Sequence, residues 1–523
     1  MIALPHYLTK ENCTIEKKHY AVLTRFVNAW EEAFWNDKPE QKLLTNSARY
    51  YAGILLFKAY NEIAANTLDY LYNRELAQIN PLLGWSAELA TSEIREKAEL
   101  SLLEKLEQNP QILFEVSPLL DGHFKRCEKQ FSKMISEMII RINADRKAIS
   151  SAFFGGLDFG NIIKIDGDAD RHQNGRYALI ITAEHGKFLY KPRNMKADTV
   201  LFDMVSELFS DTVILPKALD FGQHGYAEFI AEEPAKTTEE AENFFYRLGG
   251  VCALFQTFGS TDFHCENILA KGEFPAVVDL ETFLGVTNAA DTDTSDLFQR
   301  DFSRSVFCSG ILPKRVNDRE ISPLLCKDKH SILPVINGER VDVREYLSFF
   351  DAGFREIYHR CIDEKSTLLQ YLERFSACKF RCLIRNTNDY AKLLRGLYSV
   401  KVLSSENYRD ERLKSLKTAL GQSDEKQRAA AEEEINSLLR GDVPIFHSVA
   451  NSKDLYSGEK CIVRDFFGQT IEENVRYRME NLSEKECEFD LSIIHQSLRC
   501  AHIPANKPHY KAVILCRGSG KSV

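Results

Sequence analysis

The chain has 523 residues, more than one hydrophobic core usually organises, and this length predicts two to four domains. With 44% hydrophobic and 27% charged residues, its composition is that of an ordinary globular protein. The formal net charge is −9 and the basic residues are scattered, which argues against a nucleic-acid binder with its basic face.

The N-terminus lacks the basic start and apolar run of a signal peptide. No run of about 18 apolar residues occurs, so we expect no membrane span. The 13 cysteines are odd in number and irregularly spaced. This pattern predicts reduced, mostly buried thiols and a cytoplasmic protein.

Residues 1 to about 150 have the periodicity of helices, as in the segment 48–71. Farther along, apolar residues recur every three or four positions and would form one helical stripe: Phe124, Cys127, Phe131, Ile135, Met138 and Ile142. We predict that these stripes pack in a core or dock a partner, and we assign them no chemistry.

From Phe153 onward the chain is richer in glycine and in β-forming residues. Segments 177–182 and 187–191 flank Glu184-His185-Gly186 and predict a β-hairpin. Helices are expected over 197–209 and over 240–258, the second ending at Gly259. A loop and a short buried strand within 276–286 should follow.

Residues 345–440 again predict helices, interrupted at 379–390. Ser423-Asp424-Glu425 supplies a capping residue and acids for a helix with one solvated face. We predict four parts: a helical N-terminal region (1–150), a small β-rich lobe (151–235), a mostly helical lobe (236–450) and a helical extension (451–523).

Phosphoryl transfer from ATP requires a lysine for the phosphates, oxygen ligands for Mg²⁺ and a carboxylate that orients the attacking hydroxyl. Lys191 ends a predicted strand and is suited to the first role, paired with a carboxylate of the next helix, Asp203 or Glu207. A strand-end lysine taken alone is usually a solvated charge.

Asp262 and Asn267 lie five residues apart in a loop after a helix, the offset of the catalytic Asp and metal-binding Asn of protein kinases. Asp279 follows the apolar run, and Glu281 would share its side of an extended segment. Two carboxylates on one side suit a cation between them, although a lone Asp often only caps a turn.

The loop 167–176 precedes the predicted hairpin, where a kinase-like fold has its phosphate-covering loop. It has too few glycines for the protein-kinase pattern, and we assign its Gly175 to cofactor binding. Asp170 and His172 in this loop are unnecessary for simple transfer but useful for proton movement in a second step.

Together these blocks resemble the dehydratase half of class II lanthipeptide synthetases, the LanM family. The matching segments, over about residues 150–450, are DRHQNGR, FLYKPRN, YAEFI, STDFHCENILA, AVVDLETF, RCLIRNTNDY and RGDVPIF. The resemblance implies an α+β, lipid-kinase-like two-lobed fold with helical additions. It also implies a leader-bearing ribosomal precursor peptide as partner, ATP and Mg²⁺ as cofactors, and phosphorylation of Ser or Thr before phosphate elimination to dehydroalanine or dehydrobutyrine.

The resemblance also assigns roles to individual residues. Lys191 would bind ATP phosphates, Asp262 would be the phosphorylation base and His264 would line its loop. The metal ligands would be Asn267, Asp279 and Glu281. Arg381 and Thr387 would be the pair needed for phosphate elimination, with Arg385 between them able to assist. Asp170 and His172 match a block of the phosphate loop.

The sequence departs from the family pattern because nothing in it resembles the zinc-binding cyclase domain. Either a separate cyclase acts or the chain is a truncated synthetase. The final segment 512–523 resembles a P-loop, but Leu515 occupies a required glycine position and no helix can follow.

Two other functions remain open. A peptide kinase that stops at the phosphoester would not need Arg381 and Thr387. A non-catalytic partner that binds precursor peptide would have no need for a complete metal site, and this argues against it because the chain retains Lys191, Asp262, Asn267 and Asp279.

Overall fold

The computed structural model describes residues 17–36, 42–167, 170–286, 304–316, 319–420 and 424–501. Several positions discussed above lie outside these ranges, namely the N-terminus before residue 17, the P-loop-like segment 512–523 and Ser423. Among the described residues, no helix has both the length and the apolar character that crossing a bilayer requires.

Helices account for most of the described residues. In chain order they are α1 (Lys17–Trp35), α2 (Asn46–Ile79), α3 (Ser92–Gln108), α4 (Ile112–Val116), α5 (Leu120–Ala144), α6 (Arg146–Phe153), α7 (Lys196–Leu208), α8 (Thr238–Phe258), α9 (Leu347–Asp363), α10 (Lys365–Arg374), α11 (Thr387–Leu397), α12 (Val400–Leu403), α13 (Glu406–Leu420), α14 (Glu425–Arg440), α15 (Ile471–Glu480) and α16 (Glu484–Cys500). Short 3₁₀ turns occupy Pro81–Gly84, Ala87–Leu89, Val306–Ser309 and Val343–Tyr346.

The strands are short. In chain order they are β1 (Ile162–Asp166), β2 (Leu179–Ala183), β3 (Gly186–Lys191), β4 (Ala218–Asp220), β5 (Gly225–Glu228), β6 (Glu233–Pro234), β7 (Ile268–Gly272), β8 (Phe274–Val277), β9 (Arg315–Val316), β10 (Arg319–Glu320), β11 (Val335–Ile336), β12 (Glu339–Arg340), β13 (Lys379–Cys382), β14 (Phe446–Val449), β15 (Leu455–Ser457) and β16 (Lys460–Val463). The expected mixed α+β class is confirmed.

The fold divides the chain into two compact units, each made from two segments. Unit 1 comprises Met1–Pro192 and Ile384–Ile445, and unit 2 comprises Arg193–Leu383 and Phe446–Val523. The four-part division derived from the sequence stays a prediction.

Unit 1 contains the N-terminal helices and strands β1 to β3. The stripe on α5 that begins at Phe124 and ends at Ile142 is buried throughout, as predicted for core packing. Strands β2 and β3 form the predicted antiparallel hairpin, with Ala183 opposite Gly186. Lys191, the last residue of β3, is buried.

Unit 2 is organised around α8, which is buried along most of its length. A capping box of Thr237 and Glu240 begins the helix, and Gly259 in the left-handed conformation ends it, where the sequence placed the stop. The helix packs closely against α9, because Gly249 and Gly353 carry no side chain at the crossing.

The other elements of unit 2 position loops around the end of α8. Strands β7 and β8 form an antiparallel hairpin after the loop that contains Asp262. Strands β13 to β16 form a four-stranded antiparallel sheet. The strand expected within 276–286 ends at Val277, so the prediction of an extended segment through Asp279 and Glu281 is wrong.

Candidate active site

A cleft of about 470 Å³ opens at the C-terminal end of α8 in unit 2. Its acidic, histidine and basic lining residues come from four parts of the unit: Asp262, His264, Lys314, Arg381 and Arg478. The helix stop at Gly259 directs the chain into this cleft, since the loop that follows carries Asp262 and His264.

Asp262 has a φ of 64°, in the left-handed region that residues other than glycine rarely adopt. Three contacts hold this conformation. The Asp262 carbonyl accepts hydrogen bonds from the Asn267 side-chain Nδ2 at 2.8 Å and from the His264 N–H at 3.1 Å. The next residue, Phe263, donates its N–H to the Ser309 carbonyl at 2.9 Å. Such strain persists where the surroundings over-determine it, typically at functional sites.

The electrostatic surroundings of Asp262 raise the pKa of its carboxyl. Burial is the largest cause and outweighs the opposing charges of His264, Arg381 and Lys314, while the Asp279 carboxylate raises the pKa further. A carboxylate with a raised pKa is a stronger base, which suits proton abstraction.

Asn267 and His264 are fixed by short-range contacts in the same loop. The Asn267 Nδ2 bond to Asp262 leaves its amide oxygen as an acceptor. The Asn267 carbonyl accepts from the Val278 N–H at 3.0 Å, which links the loop to the segment before Asp279. His264 Nδ1 accepts a hydrogen bond from the Glu266 N–H at 3.2 Å.

The Asp279–Glu281 segment turns instead of running straight. The Leu280 carbonyl accepts from the Phe283 N–H at 3.2 Å, so the strand alternation used to place both carboxylates on one side does not apply here. Glu281 is instead ion-paired with Arg193, whose Nε lies 2.7 Å from Glu281 Oε1.

Arg193 is a residue of this site that the sequence reasoning missed. Its guanidinium also forms a two-pronged pair with buried Asp198 of α7, at 2.8 and 3.0 Å. Burial disfavours its charge, but the carboxylates of Asp198, Glu281 and Asp279 outweigh this cost and raise the pKa of Arg193. Its position directly after Lys191-Pro192 in FLYKPRN was the available signal.

Arg381 lies on β13 and lines the same cleft as Asp262. Its backbone N–H donates to the Glu281 carbonyl at 2.8 Å, and its Nη1 lies 3.9 Å from Glu281 Oε2. The structure thus brings together two residues that the sequence assigned to different steps. Within the described residues, no group of three or more His, Cys, Asp or Glu side chains has the arrangement of a metal site.

In unit 1, the loop from Arg171 to Arg176 is bonded to residues 442–443. His172 Nδ1 donates to the Val443 carbonyl at 2.7 Å. The N–H groups of Asn174 and Gly175 donate to the Asp442 carboxylate at 2.7 and 2.8 Å. Burial raises the pKa of Asp442, although these two hydrogen bonds lower it.

This arrangement gives Gly175 a structural partner that the sequence analysis did not foresee. Three consecutive residues, Gln173, Asn174 and Gly175, have φ of 46°, 69° and 79°, so the loop forms a left-handed turn around Asp442. The RGDVPIF block, which was quoted only for the resemblance, supplies that carboxylate. Asp170 is exposed and lines a separate cleft of about 420 Å³ within unit 1.

Thr387 begins α11 in unit 1, directly after its capping residue Asn386. Arg385 is not available to assist it as suggested, because its guanidinium pairs with buried Glu434 at 2.8 Å and donates to the Leu420 carbonyl at 2.9 Å. Glu434 also accepts from the Tyr390 hydroxyl at 2.5 Å.

The two acids proposed to pair with Lys191 have other partners within unit 2. Asp203 pairs with Arg374 at 2.6 Å. Glu207 accepts a hydrogen bond from the Tyr371 hydroxyl. A different acid of α7, Asp198, pairs with a cation that follows Lys191 in the chain. That cation is Arg193.

Comparison with known proteins agrees with the motif analysis at the level of the family. The family described as "Domain of unknown function (DUF4135)" matches residues 118–330 and 323–449. The chain is also 23% identical over 410 residues to the lacticin 481/lactococcin biosynthesis protein LcnDR2 of Lactococcus lactis subsp. lactis. That alignment covers 68% of this chain and 41% of the relative, so the chain corresponds to less than half of that protein. Because the family matches most of the chain and includes the loops that carry Asp262, Arg381 and Asp442, the protein belongs to the DUF4135 family.

Proposed function

We propose that this protein is a lanthipeptide-type peptide dehydratase. It would phosphorylate Ser and Thr of a leader-bearing ribosomal precursor peptide with ATP and Mg²⁺, then eliminate the phosphate to leave dehydroalanine or dehydrobutyrine. The proposal includes a lipid-kinase-like two-lobed arrangement. Support comes from the motif set, from membership of the DUF4135 family and from similarity to a protein named for lacticin 481 biosynthesis.

One structural observation carries the proposal: Asp262 and Arg381 line the same cleft. A kinase-type base and an arginine suited to a departing phosphate are both needed if one protein performs transfer and elimination. A kinase that stops at the phosphoester has no need of the second group.

In the transfer step, the Asp262 carboxylate would accept the proton of the Ser or Thr hydroxyl as its oxygen attacks the terminal phosphorus of ATP. The bond from that phosphorus to the bridging oxygen would break, and ADP would leave with the electron pair. The raised pKa of Asp262 favours this proton transfer. Lys191 would neutralise the phosphates, and His264 would line the loop beside the reacting hydroxyl.

The residues present fit a magnesium ion through Asn267 and Asp279. The Asn267 amide oxygen is left as an acceptor, and Asp279 adds its charge at the Asp262 carboxyl. Magnesium takes one or two protein oxygens and keeps several waters. When bound, it would neutralise negative charge on the ATP phosphates. Glu281 fits less well because Arg193 holds it.

In the elimination step, a base takes the α-proton, the Cα–Cβ double bond forms, and the Cβ–O bond breaks so that phosphate leaves with the electron pair. Arg381 offers a planar fork of donors to the departing phosphate. Thr387 would share its charge, and Asp170 and His172 would move protons in this step.

The proposal is tested by incubating the protein with ATP, Mg²⁺ and a precursor peptide and following the peptide mass. The variants are Asp262→Asn, which tolerates the left-handed backbone, and Arg381→Gln. Lys379→Gln is the matched control, because Lys379 lies on the same strand and pairs with exposed Glu459.

We expect loss of water with the wild type and the control, accumulation of phosphopeptide with Arg381→Gln, and no modification with Asp262→Asn. Phosphopeptide as the final product of the wild type would reduce the activity to that of a kinase. An Asp262→Asn variant that still phosphorylates the peptide would remove Asp262 from its role.

A further inference from the structure

The cleft in unit 2 contains a buried arginine that the proposed chemistry does not use. Arg478 lies on α15, lines the cleft and is only 6% exposed. In the described parts of the chain its guanidinium forms no ion pair with a carboxylate, although the buried carboxyl of Asp490 acts on its charge from farther away. Arg193 in the same unit differs, since Asp198 and Glu281 both neutralise it.

The contacts of Arg478 satisfy only part of its guanidinium. Nη1 donates to the carbonyls of Gln256 at 3.0 Å and Arg304 at 2.7 Å. Nε is buried and has no hydrogen-bond partner among the described residues. Burial lowers the pKa of Arg478 by more than the neighbouring Cys308 and Asp490 raise it.

A purely structural role accounts for the hydrogen bonds of one guanidinium nitrogen of Arg478, Nη1, but gives the other nitrogens no function. The Gln256 carbonyl belongs to the last turn of α8, where a cation is favoured by the helix dipole. Backbone carbonyls alone repay little of the cost of burying a full charge that has no ion-pair partner. An anionic ligand would supply that counter-charge.

The cleft leaves room for such a ligand next to Arg478. A side chain at Gly259 would place its Cβ 2.9 Å from Arg478 Nε, so any residue larger than glycine would crowd the guanidinium. Lys314, which is exposed, and Arg381 line the same cleft and add two more cations. Asp262 is the acid among these lining groups, against the three cations Lys314, Arg381 and Arg478.

We propose that Arg478 is the buried member of an oxyanion subsite that binds the phosphate of the phosphorylated peptide or the phosphate ion released from it. Arg478 donates from the inner end of the cleft while Lys314 and Arg381 act from the other lining segments. The identity of this ligand rests on the proposed function, but the binding of a phosphate dianion does not.

The test is calorimetric titration of the full chain with inorganic phosphate at constant ionic strength, with chloride as the reference salt. The variant is Arg478→Gln, and Arg478→Lys keeps the charge in case the first variant does not fold. Arg476→Gln is the matched control, because Arg476 lies on the same helix, has a side chain 37% exposed and pairs with Glu472.

We expect Arg478→Gln to bind phosphate at least about tenfold more weakly than wild type, the loss that goes with charge-assisted hydrogen bonds. Arg478→Lys should lose a smaller factor and Arg476→Gln should match wild type. Equal phosphate affinity in wild type and both Arg478 variants would overturn the subsite. It would also be overturned if Arg478→Gln weakened only a non-hydrolysable ATP analogue.

Two further measurements, binding of a phosphoserine peptide and dehydration of the precursor peptide, identify the source of the phosphate and separate this inference from the proposed function. A phosphoserine peptide that binds more tightly than inorganic phosphate, with both weakened by Arg478→Gln, assigns the site to the peptide intermediate. Arg478-dependent phosphate binding without any dehydration of precursor peptide supports the subsite and refutes the dehydratase. If the protein dehydrates the precursor peptide but its phosphate binding does not depend on Arg478, the dehydratase is supported and the subsite is refuted.

Discussion

Arg193 connects two acidic side chains of unit 2 that would otherwise lie close to other negative charge. Asp198 is 3% exposed, so it depends on this arginine for its counter-charge, and Glu281 is ion-paired with the same guanidinium. Removing one partner of such a pair leaves a carboxylate in a poorly solvated place. The role of Arg193 is therefore to position Glu281 and to supply the counter-charge of buried Asp198.

We predict that Arg193→Met lowers the free energy of unfolding by about 2 kcal/mol, a value reduced from the fully buried case because the arginine itself is partly exposed. Arg360→Met is the matched control. Arg360 pairs with Asp211 through two nitrogens in the same way, but the Asp211 side chain is 63% exposed. Its loss should cost under about 1 kcal/mol in urea unfolding. Equal costs for both variants would refute the role given to Arg193.

The sequence identified individual site residues where their partners lie only a few positions away in the chain. Asp262 and Asn267 lie five residues apart, and the structure joins them by a direct hydrogen bond. Arg193 and Asp442 were missed because their partners, Glu281 and the 174–175 backbone, are distant in the chain. Spacing reveals nothing about such pairs. The roles of Lys191, His172 and Thr387 stay predictions.

Among the elements, α8 and α9 approach each other most closely where glycines replace side chains. A Cβ on Gly353 would lie 1.8 Å from the Tyr246 carbonyl oxygen, and one on Gly249 would lie 2.0 Å from that of Phe350. Both obstacles are backbone atoms, so no side chain can rotate away. The end of α8 at Gly259 leads directly into the Asp262 loop, and this packing therefore sets the position of the cleft wall.

We predict that Gly249→Ala and Gly353→Ala each destabilise the protein by about 2 kcal/mol or more, because the helices must separate. Gly122→Ala on α5 is the control, since no atom lies within 4 Å of its added Cβ. There the helical propensity of alanine should add about 0.5 to 1 kcal/mol. Thermal unfolding measures all three, and a neutral Gly353→Ala would contradict the close packing of α8 and α9.

The hydrophobic pattern predicted these elements better than it predicted their ends. The helical period of α8 and its glycine stop were predicted from the sequence, and so was the β2–β3 hairpin from its apolar–polar alternation. The strand at 276–286 was drawn too long because apolar residues continue past Asp279. They continue because Leu280, Phe283 and Leu284 are buried in a turn.

Across the whole molecule, the cysteines serve as packing residues. All eleven cysteines that the structure describes are free, and eight of them are buried. Burial raises the pKa of Cys361 and of Cys382 to about 12, so these thiols stay protonated and unreactive at neutral pH. This agrees with the sequence-based prediction of reduced, mostly buried thiols.

These thiols give a test of the described fold that does not depend on catalysis. Under native conditions and without reductant, at least eight thiols should resist a thiol-specific reagent at pH 7. Among the described cysteines, the readily labelled ones should be Cys308, Cys461 and Cys500, which are partly exposed. In denaturant at least eleven should react at once, because none of the eleven needs reduction first. Fewer than eleven without reductant would reveal a disulfide that the structure does not contain. Rapid native labelling of Cys361 or Cys382, located by peptide mapping, would show that the core of unit 2 is open in solution.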